Sequence, residues 1–141
     1  MSTIAFALTD ADIVRCFPVM HQLRPHLLAE QFVSLIRAQQ AQGFHLAFLQ
    51  QQETIVTVAG FRIHHLLATG NTLYVDDLVT DQNSRSQGHG DRMLHWLIDH
   101  ARHVGCTHFS LDSGTHRLDA HAFYFRHRMR ISAFHFQLPL V

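Results

Sequence analysis

Apolar positions recur at helical spacing over the first third of the chain, turn β-like in the middle and mix thereafter. Thr3–Leu8 reads as a short apolar strand. Thr9 or Asp10 offers a helix cap, after which Ile13, Val14, Phe17, Met20 and Leu23 recur at helical spacing. Pro18 is expected to kink or divide that helix. Pro25 can open the next helix at its first turn, with Leu27, Leu28, Phe32, Leu35 and Ile36 as its buried stripe and Gly43 as its stop.

From Phe44 the period shortens. Phe44–Leu49, Thr54–Leu67 and Leu73–Thr80 are rich in Val, Ile, Thr and aromatics and predict three strands. Gly60, inside the long middle strand, marks an expected bulge. A helix then runs from about Gly88 to Val104 on a stripe of Met93, Leu94, Leu97, Ile98, Ala101 and Val104, and Gly105 stops it. His108–Asp112 predicts a strand, Asp119–His127 a short helix and Ile131–Leu138 a final strand. The order β-α-α-β-β-β-α-β-α-β implies an α/β (α+β) fold with a mixed, mostly antiparallel sheet and helices on both faces. The strand–helix–strand unit at 73–112 should be a right-handed parallel crossover.

Composition narrows the function. A chain of 141 residues, 47% hydrophobic and 16% charged, suits one globular domain over residues 1–141 and excludes wholesale disorder. Eleven basic and eleven acidic residues cancel, and no basic block points to nucleic acid. Every basic residue is Arg, so a P-loop, which needs its Lys, is excluded. No window is apolar enough to span a membrane, and the start lacks a secretory pattern. Cys16 and Cys106 lack metal or redox spacing, which suggests a reducing cytoplasm. The 14 His residues include His64-His65 and the His100/His103 pair, but nothing completes a zinc pattern, so no metal is expected.

The stretch that carries chemistry is Tyr74–Gly90. A strand ends, a polar loop follows, and Arg85-Ser86-Gln87-Gly88-His89-Gly90 opens a helix. Glycine lets a ligand approach the backbone closely, and the amides of a first helical turn favour an anion. On these residues alone the stretch is equally a plain loop-to-helix turn.

Arg85-x-x-Gly88-x-Gly90, after a strand and before an amphipathic helix, resembles the acyl-CoA signature of the GNAT superfamily of N-acetyltransferases. Ala120-His121-Ala122-Phe123-Tyr124 resembles that superfamily's Ala-x-x-Phe-Tyr helix. Tyr74-Val75-Asp76-Asp77-Leu78 is similar to the strand run of polyamine acetyltransferases. The chain departs from the pattern at Arg117, at Arg128-Met129 and at Asp91, where members often carry Asn, Gly-Phe and a small or basic residue.

The resemblance implies direct acetyl transfer from acetyl-CoA to a primary amine of a small molecule or peptide, in a ternary complex. The different-class alternative is an acyl-CoA-binding module without turnover. Arg85, Ser86, Gln87, Gly88, His89, Gly90 and Asp91 would hold the pyrophosphate. Leu78, Val79 and Thr80 would pair with the pantetheine arm, and an amide of Leu78 or Val79 would polarise the thioester oxygen. Strand alternation puts Tyr74, Asp76 and Leu78 on one face and Val75, Asp77 and Val79 on the other. Asp76 matches a Glu position assigned as base. It is one methylene shorter, which calls for a relay water, and its other role is to bind a cationic substrate. Asp77 is the competing carboxylate, with capping or pairing to an Arg as its structural role. Tyr124 would protonate the departing thiolate. Residues 23–41, the strand near Asp76 and residues 113–118, Ser113 among them, would shape the acceptor pocket. The reading leaves homodimer formation open.

Overall fold

The computed structural model describes all residues, Met1–Val141. The chain divides into two compact units, Met1–Ser110 and Leu111–Val141. The first unit holds strand β1 (Ser2–Phe6), helices α1 (Asp10–Leu23) and α2 (Ala29–Gln40), strands β2 (Phe44–Gln51), β3 (Thr54–Leu66) and β4 (Gly70–Thr80), and helix α3 (His89–His103). Strand β5 (His108–Leu111) closes it, its last residue starting the second unit, to which helix α4 (Leu118–Arg126) belongs. No helix is long and apolar enough to cross a membrane.

The five strands lie in the order β1-β2-β3-β4-β5. The first four pair antiparallel. Thr107, at the entry to β5, donates its amide to the Asn71 carbonyl at the entry to β4. The two strands therefore start from the same end, as the crossover through α3 requires. The mixed sheet and its order agree with the expectation from sequence.

The sheet separates two layers of packing. On one face, Ile13, Cys16 and Met20 of α1 and Phe32 and Ile36 of α2 pack on Phe44, Leu46 and Phe48 of β2, Val58 and Val79. On the other, Phe6 meets Trp96 and His100 edge to face, Phe61 meets His100 likewise, and Trp96 stacks on His100. Leu94 and Leu97 of α3 are fully buried.

Five local expectations change. Helix α1 is not divided at Pro18. Proline removes the amide that would bond Val14, but Val14 is 57% exposed, so water can satisfy its carbonyl. For the same reason Val14 leaves the buried stripe, and Cys16 and Val19 take its place. Pro25 does not open α2; it lies in a turn closed by Leu27 N–H on the Arg24 carbonyl, and Leu28 is the cap. The buried stripe of α2 contracts to Phe32 and Ile36, with Leu28 and Leu35 exposed. Finally, Ile131–Leu138 forms no strand, and residues 131–141 are exposed. A β pattern becomes a strand only where an edge accepts its backbone groups, and no strand pairs with this segment.

Candidate functional site

The register of β3 against β4 shifts once, between Gly60 and Phe61: Gly60 faces Asp77, while Phe61 faces Val75. Asp76 is therefore the extra residue of a bulge in β4. A bulge reverses the alternation beyond it. Val75 lies opposite Phe61, whose ring packs against His100 of α3, whereas Val79 packs with Val58 in the α1–α2 layer. Asp77 and Val79 thus join Tyr74 and Asp76 on the α1–α2 face, and Leu78 turns to the other. The expected separation of Asp76 from Asp77 is corrected: both carboxylates line one cavity.

Each carboxylate has its own arginine. Arg62 Nε donates to both oxygens of Asp76, at 2.9 and 3.2 Å, and its Nη2 donates to Gln39 Oε1 at 2.5 Å. Arg24, the residue closing α1, donates Nε to Asp77 Oδ1 at 2.8 Å and Nη2 to the Asp76 carbonyl at 3.1 Å. The Arg partner expected for Asp77 is Arg24. Burial pushes the Asp76 carboxyl above its ordinary value, against the opposing pull of Arg62.

The cavity has a volume of about 230 Å³. Its polar lining is Arg24, His26, Gln39, Arg62, Asp76 and Asp77, and its apolar wall comes from Met20, Leu27, Phe32, Leu35, Ile36 and Phe44. The exposed Leu35, poorly placed for the core, is part of this wall. Gly60 lies close against two of these lining residues, Phe44 and Asp77. A Cβ there would stand 2.4 Å from Phe44 Cζ and 3.0 Å from Asp77 Oδ2. Gly60→Ala is expected to destabilise the fold by about 1–3 kcal/mol, as overpacking does, measured as a shift in the urea midpoint.

Beyond the carboxylates, β5 has only four residues and starts level with β4, so it ends short of Leu78–Thr80. That edge has no strand on the β5 side. The chain then enters a 3-10 turn at Gln82–Ser84, held by α1: Gln22 Nε2 donates to Asp81 Oδ1 at 2.7 Å, and Gln82 N–H donates to Gln22 Oε1 at 2.9 Å.

Ser86 and Gly88 both have positive φ, +63° and +83°, and Gly88 caps α3. The helical ladder starts with Arg92 N–H on the Gly88 carbonyl, which leaves the earlier amides of the turn outside it. Nothing lies within 4 Å of where a Gly88 Cβ would stand. His89 is only 7% exposed, yet its Nε2 has no hydrogen-bond partner. An open left-handed turn, a helix N-terminus and the exposed Arg85 together fit an anionic group such as a pyrophosphate.

In the second unit, Tyr124 is half-buried beside Phe123, at a ring distance of 5.4 Å. Burial pushes its phenol above the usual value, and Arg117 opposes this. His121 Nε2 donates to the Gly114 carbonyl at 2.8 Å. The Ser113 hydroxyl is buried without a partner. Sequence reasoning placed residues 23–41 at the acceptor pocket, where Arg24 and Gln39 do lie, but singled out neither of them, nor Gln22 or Arg62. Only Arg62 carried a local signal, as a charge following the apolar run of β3; the others meet their partners through long-range packing.

A sequence profile of the Acetyltransferase (GNAT) family matches residues 9–128. The chain is 34% identical over 109 residues, 77% of each chain, to the uncharacterised N-acetyltransferase YhdJ of Bacillus subtilis (strain 168). Among solved structures it resembles ribosomal-protein-alanine N-acetyltransferase from Brucella melitensis biovar Abortus 2308, with a TM-score of 0.85, 14% identity and 100% of both chains covered. It also resembles glucosamine-6-phosphate N-acetyltransferase from Arabidopsis thaliana, with a TM-score of 0.80, 19% identity, and 100% of this chain and 99% of that one covered. At those identities the likeness is one of fold.

Proposed function

The chain belongs to the acetyltransferase (GNAT) family, and on that premise we propose that it transfers an acetyl group from acetyl-CoA directly to a primary amine bound beside Asp76 and Asp77. One observation carries this reading. A single continuous stretch, residues 76–91, supplies two carboxylates in a cavity, an open strand edge and an open anion-binding turn. Those are the three things the reaction needs side by side.

Arg85, Ser86, Gln87, Gly88, His89, Gly90 and Asp91 form the turn that holds the pyrophosphate. The edge at Leu78, Val79 and Thr80 pairs with the amides of the pantetheine arm as an added strand would. An amide of Leu78 or Val79 polarises the thioester oxygen. An alkylamine with a pKa near ~10 is almost wholly protonated at neutral pH, so the attacking nitrogen must first lose a proton. Asp76 takes it through a relay water. Arg62 fixes the orientation of that carboxylate, and burial raises its affinity for a proton. As the new C–N bond forms, the C–S bond breaks with its electron pair on sulfur; Tyr124 protonates the thiolate, the nitrogen sheds its second proton to water as the amide forms, and the phenolate is reprotonated from water.

Gly88→Val tests the cofactor turn. A β-branched residue at φ +83° is strained by roughly 1–2 kcal/mol and fills the open space over the turn. The expected result is loss of acetyl-CoA binding by calorimetry with cooperative unfolding retained. Gly88→Ala, with one methyl, should weaken binding less. Wild-type affinity in both folded variants would refute this placement.

A further inference from the structure

The cavity beside Asp76 is not an acidic one. Two guanidinium groups and two carboxylates line it, and their formal charges cancel. Arg24 uses two of its five N–H groups on Asp77 and the Asp76 carbonyl, which leaves three. Arg62 likewise uses Nε on Asp76 and one Nη2 hydrogen on Gln39, which leaves three. His26 lines the same space. The carboxylates retain acceptor capacity, since each oxygen has more than one lone-pair direction. Both signs of charge are thus offered to a ligand, over an apolar wall that includes Leu27, Leu35 and Phe44.

Resting on the acyl-transfer reading above, we propose that the acceptor is a small monoamine that also carries an anionic group, a carboxylate or a phosphate, held by Arg24 and Arg62. Three features carry this. The volume of about 230 Å³ lies below the usual range for drug-sized ligands and suits an acceptor of amino-acid size. A second ammonium on the ligand would meet two arginines with no surplus of negative charge to offset them. An anion would meet guanidinium forks, whose planar N–H geometry matches carboxylate and phosphate.

The test compares acceptors in matched sets. Leucine is paired with isoamylamine, which lacks only its carboxylate. γ-Aminobutyrate and aminopropylphosphonate are set against butylamine and putrescine, so that carboxylate and phosphate are read separately. With wild-type protein and acetyl-CoA, at least one anion-bearing amine should show kcat/KM at least ~10-fold above its uncharged match, and putrescine should fall below butylamine. Arg24→Gln should collapse that ratio through KM, and Arg24→Lys should restore part of it. Calorimetry of the same amines with CoA present reads the preference independently of turnover. Putrescine used as well as any anion-bearing amine, a ratio unchanged in Arg24→Gln, or no binding of any panel amine would overturn the proposal. Loss of the underlying reading is distinct: it would appear as failure to bind acetyl-CoA at all.

Discussion

Replacing Tyr124 with Phe is expected to lower the single-turnover rate of acetyl transfer by ~100- to 10,000-fold, the usual effect of losing a positioned acid. The ring and its contact with Phe123 are kept, and only the transferable proton is lost. A phenol near ~10 donating to a thiolate near ~8.5 works uphill by roughly 2 kcal/mol. Burial of Tyr124 raises its pKa further, and Arg117 offsets part of that. Because the phenol stays protonated well above neutrality, its ionisation should add no limb to the rate profile below about pH 9. Acetyl-CoA affinity should be almost unchanged, since the hydroxyl acts as sulfur becomes negative. Stability should fall by no more than about 1–2 kcal/mol. The chemical step must be isolated, because slow product release would mask the defect in steady state. His121 is a poor substitute, since its Nε2–H is committed to the Gly114 carbonyl. An unchanged single-turnover rate would assign the proton to water.

Asp76→Asn should reduce kcat/KM by ~100- to 10,000-fold at neutral pH and leave acetyl-CoA binding near its wild-type value. The wild-type rate should fall in acid as the carboxyl, raised by burial above its ordinary range, becomes protonated and can no longer accept the amine's proton. The variant should lack that acid limb.

Stability responds with a definite sign. The folded-state pKa lies above the unfolded one, so the contribution of Asp76 is full below the unfolded value and is lost as pH rises through the folded value. Thermal melts of Asp76→Asn should not show that component. The variant also leaves the Arg62 Nε without its anion, which Gln39 compensates only in part. Asp77→Asn should act mainly on acceptor KM, because Asp77 is tied to Arg24. Normal turnover by Asp76→Asn with a good acceptor would move the base to another group.

Much of the fold was legible because its signals are local. Thr9 accepts the Asp12 amide as the cap of α1, as its residue type suggests. Of the predicted stripe, Met93, Leu94, Leu97 and Ala101 are buried, Ile98 is half-buried and Val104 at its end is exposed. Gly88 occupies the left-handed region that a glycine before a helix implies. The bulge was half legible: Gly60 marked where β3 and β4 fall out of register, but the extra residue stands in the partner strand, at Asp76. Alternation read along a single strand cannot detect that, because a bulge is a property of a pair.

What the sequence determined by itself is the set of elements and the turn at Arg85–Asp91, where short-range geometry leaves few choices. Tertiary structure alone decided the character of the acceptor cavity and the state of residues 131–141. Arg24 and Arg62 come from positions 53 and 14 residues away from the carboxylates they neutralise, so a run of two aspartates that looks acidic in sequence becomes a charge-balanced site. Phe134–Leu140 has the pattern of a strand, but a strand exists only where a neighbour accepts its backbone hydrogen bonds, and spacing along one chain does not specify that neighbour.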